Sequence, residues 1–289
     1  MGKYSIKELE SLSGIKAHTL RIWEKRFNLL NPERTDTNIR YYSDEDLRKI
    51  LNVSLLTTNG VRISEVASFS DEELKNAVLE INDEDVLNRK RVNDLIMVMS
   101  DFDESRFHKL FNKYVKELGF EKAFTDVIHP YLEKVGILWL SGEIQATQEH
   151  LVTSLIRSKL IAEIEAIDFP CEAKKSALLF LPEGEFHELG LLFFNYLLRK
   201  AGVKVYYLGQ STPVSQTVEF VNSCQPDLVL TYSIIKSKRD IEEFLEQLEY
   251  CKCKKTVYVE NKHQSYLKIN YPAHISKVNN YKEILSHLN

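Results

Sequence analysis

Residues 17–27 read Ala-His-Thr-Leu-Arg-Ile-Trp-Glu-Lys-Arg-Phe. Leu20, Trp23 and Phe27 fall at helical spacing and form an inward stripe, which leaves His18, Thr19, Arg21, Ile22, Lys25 and Arg26 for contact with a partner. The spacing predicts a helix from Ala17 to Phe27. Asn31-Pro32 ends it, because the residue before a proline is pushed out of helical geometry. Upstream, Ser13-Gly14-Ile15 is a turn, and Ser5-x-x-Glu8 is a capping box that starts a helix near residue 6. Downstream, Glu33–Asn38 is polar without a helical period and Ile39-Arg40-Tyr41-Tyr42 suits a short strand. Ser43-x-x-Asp46 then caps a helix from residue 44. Two helices around a tight turn, followed by a wing, are the layout of a winged helix-turn-helix, whose second helix enters the major groove of DNA.

In that layout the second helix offers His18, Thr19, Arg21 and Lys25 to double-stranded DNA. The wing projects Arg34 and Arg40, with Tyr41 and Tyr42 touching the backbone. Charge alone does not lead to this reading. The chain carries a formal net charge of -4, and residues 1–70 hold 11 Lys+Arg against 9 Asp+Glu. Spacing and residue type carry it.

Outward from the head, Ser70-x-x-Glu73 caps a third run near residue 71, and residues 71–170 are helical in pattern. Breaks are expected near Asn82-Asp83, Ser100–Glu104, Leu118-Gly119, Pro130 and Ser141-Gly142, giving four or five helices of bundle length. Asp168–Lys175 reads as a linker. From Ser176 strands and helices alternate: strands at Ala177–Leu181, Lys204–Leu208, Asp227–Tyr232 and Thr256–Val259, and helices to Ala201, over Val214–Cys224 and over Lys238–Leu248. A last helix is expected at Tyr281–Leu288. Apolar strands separated by amphipathic helices imply a doubly wound parallel sheet. The expected organisation is therefore multi-domain α and α/β: a winged helix-turn-helix at 1–72, a helical bundle at 73–168 and a Rossmann-like domain at 174–289.

The longest apolar run, Leu189–Leu198, is far too short to span a bilayer, and the N-terminus has no signal-peptide segment, so a cytoplasmic location without membrane contact is expected. Cys171, Cys224, Cys251 and Cys253 form no CxxC pair and read as reduced thiols. No nucleophile–base constellation or phosphate-cradling glycine loop is present, and enzyme activity is not expected.

Two further signals lie in the second half. Glu185-x-His187-x-x-Gly190 follows the first strand of the sheet, where the crevice beyond parallel strands takes ligands. A His with a carboxylate two residues earlier has the parts of a metal ligand and its orienting partner. Trp139 is followed after nine residues by Glu149-His150 in the helical region.

Thr19–Phe27 with Pro32, Arg34, Arg40 and Tyr42 resembles the MerR N-terminal domain over residues 3–70. The Trp-x9-Glu-His and Glu-x-His-x-x-Gly elements together resemble the cobalamin-binding module of methionine-synthase type. Joined to a MerR head, they are similar to the CarA/CarH/LitR group. That resemblance implies a repressor of carotenoid or light-response genes. It would bind an inverted-repeat operator as a dimer or tetramer and be modulated by adenosylcobalamin or methylcobalamin. It also implies His187 as the lower axial ligand of cobalt, with the cofactor's freed tail passing between sheet and helix beside Gly190. Trp139, Glu149 and His150 would cover the upper face, and Gly209 with Pro213 and Ser233 would sit in the tail-contacting loops. Two positions depart from the pattern. Glu260-Asn261 stands where the group has Gly-Gly, and Leu140 stands where light-sensing members can carry a His. The departure at Glu260 motivates a second reading, a MerR-type regulator without cobalamin that is controlled by a protein partner through its C-terminal domain. A methyltransferase or mutase subunit would need a catalytic domain that the chain does not carry.

Overall fold

The computed structural model describes residues 4–34, 38–79, 84–140, 142–168, 173–234, 237–260, 268–278 and 281–287. By contacts the chain divides into two compact units, residues 1–152 and 153–289.

The first unit opens with α1 (Ile6–Ser13) and α2 (Ala17–Phe27), followed by a two-stranded antiparallel wing of β1 (Glu33–Arg34) and β2 (Arg40–Tyr41). Next come α3 (Asp44–Thr58), α4 (Ile63–Val66), α5 (Asp71–Leu79), α6 (Glu84–Ser100) and α7 (Glu104–Leu118). The three expected capping boxes all form. Ser5 accepts from the Glu8 N–H, Ser43 from Asp46 and Ser70 from Glu73, with each carboxylate bonding back to the cap. The helices start at residues 6, 44 and 71, as local chemistry dictates. Asn82-Asp83 lies outside the described residues, as does Ser141 of the Ser141-Gly142 break.

No break occurs at Pro130. Helix α8 (Phe120–Ala123) runs into a π-helical turn (Phe124–Ile128) and on into α9 (His129–Leu140). A proline ring collides with the carbonyl four residues earlier in an α-helix, and a π turn just before it relieves that collision without ending the helix. The bundle core is aromatic: Phe107 stacks on Phe111 at 6.0 Å between ring centres, and Tyr131 is fully buried. The head and α6–α9 lie in one compact unit, where α3 packs on both α5 and α6.

Helix α10 (Ala146–Glu165) contains the unit boundary. The second unit then builds β3 (Ser176–Pro182), α11 (Leu189–Lys200), β4 (Lys204–Thr212), α12 (Val214–Cys224), β5 (Leu228–Thr231), α13 (Lys238–Gln247), β6 (Thr256–Val259), β7 (Ile275–Val278) and α14 (Tyr281–Ser286). All five sheet strands are parallel, in the order β4-β3-β5-β6-β7. Continuous burial along β3 and β5 explains their unalternating apolar runs. Two expectations need correction. The second strand runs on to Thr212 rather than ending at Leu208, with register shifts against β3, and β7 was not anticipated. Residues 169–172 of the expected linker lie outside the described residues.

Candidate functional site

The head presents one outward stripe. His18, Arg21, Ile22 and Lys25, spaced i, i+3, i+4, i+7 on α2, are all exposed, while Leu20 on the opposite side is fully buried. Thr19 is half-buried beside the stripe, its hydroxyl 3.3 Å from the His18 ring. Trp23 and Phe27 are only half-buried, so Leu20, Leu29, Leu30 and Tyr42 are the main buried anchors here.

In the wing, Arg34 is exposed and donates to Asn38 at 2.6 Å, and the Tyr41 hydroxyl donates to Glu33. Arg40 donates to Glu24 on α2 at 3.1 Å, and Glu24 also accepts from the Tyr42 hydroxyl at 3.1 Å. Glu24 thus ties the recognition helix to the wing. The Tyr42 ring is fully buried, which corrects its expected contact with DNA: it packs the wing onto the head. Burial raises the Tyr42 hydroxyl pKa, and the Glu24 charge adds to the shift.

On the helical side, Trp139 lies next to the last residue of α9, half-exposed, and Glu149 and His150 lie near the start of α10, joined by a 2.9 Å contact. The loop between carries a left-handed Gly142 that donates to the Trp139 carbonyl. The Leu140 side chain and Asn261 lie outside what is described.

The sheet's strand order reverses its winding between β3 and β5, and the loops leaving those two strands define the crevice where such sheets bind ligands. Glu185 sits there, completely buried, and joins the two loops. One of its carboxylate oxygens lies 2.6 Å from His187 Nδ1 and takes the His187 N–H at 3.1 Å. The other accepts from the Ser233 hydroxyl at 2.9 Å and the Ile234 N–H at 2.7 Å. Burial on its own would raise the Glu185 pKa, but these four donors overcome it and hold the carboxyl at about 2. A carboxylate only accepts, so Nδ1 donates and the lone pair resides on Nε2, the atom suited to a metal. The His187 ring is half-exposed at the mouth, next to Phe186, whose side chain is 61% exposed.

Around this pair the loop is braced from three directions. The Ser211 N–H donates to the Glu185 carbonyl at 3.0 Å. The next residue, Glu188, accepts from Tyr207 at 2.9 Å and from Arg157 of α10. The Tyr232 hydroxyl accepts from the Leu191 N–H at 3.1 Å and donates to the His187 carbonyl, with its ring edge-on to Phe194. None of Phe186, Glu188, Tyr207, Arg157 and Tyr232 was singled out from the sequence, since each acts through contacts set by the fold.

Two glycines pack closely at the site. A Cβ at Gly190 would meet the Tyr232 hydroxyl at 2.9 Å, so a glycine leaves room for Tyr232 there. Gly209 lies within β4 rather than in a loop, with φ +80°, against Tyr207 and Glu188. Glu260 follows β6 and accepts from Tyr271 at 2.9 Å and Lys277 at 3.0 Å. Cys224, Cys251 and Cys253 are free thiols, and Cys171 lies outside the described residues.

An exposed basic stripe on a helix-turn-helix, joined to a parallel sheet with a carboxylate–imidazole pair at its switch point, defines a DNA-binding regulator with a ligand-binding half. Comparison with known proteins narrows the class. The MerR HTH family regulatory protein model matches residues 4–73 and the B12 binding domain model matches residues 92–162. The HTH-type transcriptional repressor CarH of Myxococcus xanthus is 30% identical over 252 residues, 85% of this chain and 84% of that protein. The repressor CarA of the same organism is 27% identical over 246 residues, 84% of this chain and 80% of that protein. The chain belongs to this family of MerR-type transcriptional repressors with a B12-binding domain. In fold it is similar to the monomethylamine corrinoid protein of Methanosarcina barkeri, with a TM-score of 0.53 at 16% identity over 69% of this chain and 97% of that one. Among the described residues no helix is long and apolar enough to cross a membrane.

Proposed function

We propose that this protein is a cytoplasmic, non-enzymatic repressor that binds an inverted-repeat operator as a dimer or tetramer, and that bound adenosylcobalamin or methylcobalamin modulates that binding. The observation that carries the cofactor reading is the Glu185–His187 pair at the switch point. The buried carboxylate fixes the imidazole tautomer, so Nε2 would be the atom to hold cobalt, and Ser233 and the Ile234 N–H hold the carboxylate in place. The donor set fits a metal-bound cofactor: cobalamin, when bound, would supply a cobalt for His187 to hold. Phe186 offers an exposed apolar surface beside it, and Trp139, Glu149 and His150 are proposed as further cofactor-binding residues. His18, Thr19, Arg21, Lys25, Arg34 and Tyr41 serve DNA, with Arg40 shared between Glu24 and phosphate. Carotenoid or light-response genes are the proposed targets.

One test is to titrate each cobalamin in darkness into wild type and His187→Ala, following the corrin absorption spectrum and operator retention in a gel. Stoichiometric binding, with a spectrum that changes on loss of His187, is the expected result. Absence of bound chromophore from wild type would refute the cofactor reading.

A second reading has observations of its own. Tyr232 fills the space at Gly190, and Glu260 is anchored where the group has glycine. A repressor that has given up cobalamin and answers to a protein partner through the second unit would show operator binding indifferent to cobalamin.

A further inference from the structure

The turn of the helix-turn-helix is braced from inside the head by several contacts. Glu10 accepts from the Ala17 N–H at 3.0 Å and pairs with Lys16 at 3.1 Å. Ser54 of α3 donates to the Ser13 carbonyl at 2.8 Å, and Gly14 closes α1 in the left-handed conformation. One contact comes from much further along the chain. Lys134, on α9 and 122 residues away, donates from Nζ to the carbonyl of Leu12. The same ammonium lies 3.3 Å from Asn93 Oδ1 on α6. The Leu12 carbonyl is in the last turn of α1, where no helical N–H remains to satisfy it and where the helix dipole favours a cation. A cleft of about 390 Å³ opens beside this contact, with Ser13 and Gly14 on one wall and Pro130 and Ile137 on the other.

We infer that Lys134 is a positioning residue for DNA binding: by gripping the end of α1 just before the turn, it fixes the direction in which the chain enters the recognition helix α2. Only a long side chain with several donors can hold Leu12 and Asn93 together, and both acceptors are uncharged. A charged donor clamped between neutral acceptors gives direction with little competing attraction from carboxylates. Burial pushes the ammonium pKa down to about 8, in keeping with a group held away from water. Lys134 also sits five residues before Trp139, so displacement of α9 would be felt at the turn. The inference rests on the DNA-binding reading of the head and is independent of the cofactor.

The test uses full-length protein and a duplex enriched from a random pool by the wild type, with an unrelated duplex as the non-specific control. Circular dichroism first establishes that each variant is folded. Lys134→Met keeps the apolar stem and removes every donor. It should weaken binding to the selected duplex by about tenfold, the equivalent of one charge-assisted hydrogen bond. Affinity for the control duplex, set by phosphate contacts on α2 and the wing, should stay within about twofold. Lys134→Arg, which keeps charge and reach, should recover most of the loss. A purely structural role would lower the melting temperature and leave the specific-to-non-specific ratio intact, and that result would overturn the inference. If Lys134→Met does not fold, Lys134→Gln takes its place, with a loss of at least about threefold expected for one weakened bond. An unchanged ratio in a folded Gln variant would equally overturn it. A wild type that enriches no duplex would refute the DNA-binding reading itself.

Discussion

Replacing Glu185 by Gln should destabilise the second unit at neutral pH, with a deficit that shrinks as the pH falls towards 3. The native carboxyl titrates at about 2, against an ordinary value of 4.5. On acidification the unfolded chain therefore takes up the proton first. The stability that Glu185 confers is complete above about pH 4.5 and is lost as pH falls through its folded value near 2. A separation of two to three pKa units corresponds to about 3 kcal/mol, an upper figure for a carboxylate this well solvated by protein donors. Gln loses the charge and also turns an NH2 towards one pair of donors, the Ser233 hydroxyl with the Ile234 N–H or the His187 ring with the His187 N–H, so at least one donor is left without an acceptor. Urea unfolding of both proteins between pH 7 and pH 3, followed by far-UV circular dichroism, measures the difference. Indole fluorescence would miss it, because Trp23 and Trp139 both belong to residues 1–152. Equal stability at pH 7, or a deficit of the same size at pH 3, would refute the assignment of this energy to a buried, hydrogen-bonded charge.

Other expectations follow from single contacts. Gly190→Ala puts a methyl 2.9 Å from the Tyr232 hydroxyl and should cost about 1–3 kcal/mol by overpacking. The matched change Gly136→Ala in α9 meets nothing within 4 Å and should stabilise by up to about 1 kcal/mol through helix propensity; chemical denaturation of the pair separates packing from propensity. Lys134 has its folded pKa, about 8, below the ordinary 10.5. Between those values the unfolded chain binds more protons, so this group's contribution to stability rises with pH, and the rise should vanish in Lys134→Met when melting is measured from pH 8 to 10.

Local chemistry made much of the fold legible. The serine–carboxylate spacings at residues 5, 43 and 70 start helices where they stand, because a cap and its first turn need only four residues of information. The alternation after Ser176 yielded four of the five strands for a similar reason. What escaped depends on partners distant in the chain. Pro130 carries a breaker signal, yet the π turn before it absorbs the ring. Strand β7 is an edge strand that pairs in the sheet only with β6, and its Ile-Ser-Lys-Val is too short and half-polar to stand out. At the site, Glu185 and His187 were visible because they are neighbours. Tyr232 and Gly190, 42 residues apart, meet only once β5 lies beside β3. Tyr41 and Tyr42 point to opposite sides of the wing, and nothing local says which one finds Glu24.

The burial of Tyr42 and the pairing of Arg40 make the DNA face separable by its salt dependence. Each phosphate contact releases counterions and adds about 0.9 to the slope of log affinity against log salt. Arg21 stands exposed on the α2 stripe, so Arg21→Ala should flatten the slope by about one for each head on DNA. Tyr42→Phe should leave the slope unchanged while costing about 1 kcal/mol of stability, since only its bond to Glu24 is lost. Arg40 is the informative case. Its guanidinium is already neutralised by Glu24 at 3.1 Å, so a phosphate can gain it only in competition with a carboxylate. Arg40→Ala would remove the phosphate contact and also leave Glu24 unneutralised near the backbone, which weakens binding more than Arg21→Ala at low salt and converges with it as screening grows. A slope untouched by Arg21→Ala would place the DNA elsewhere than on this stripe, whatever the affinity of the other variants.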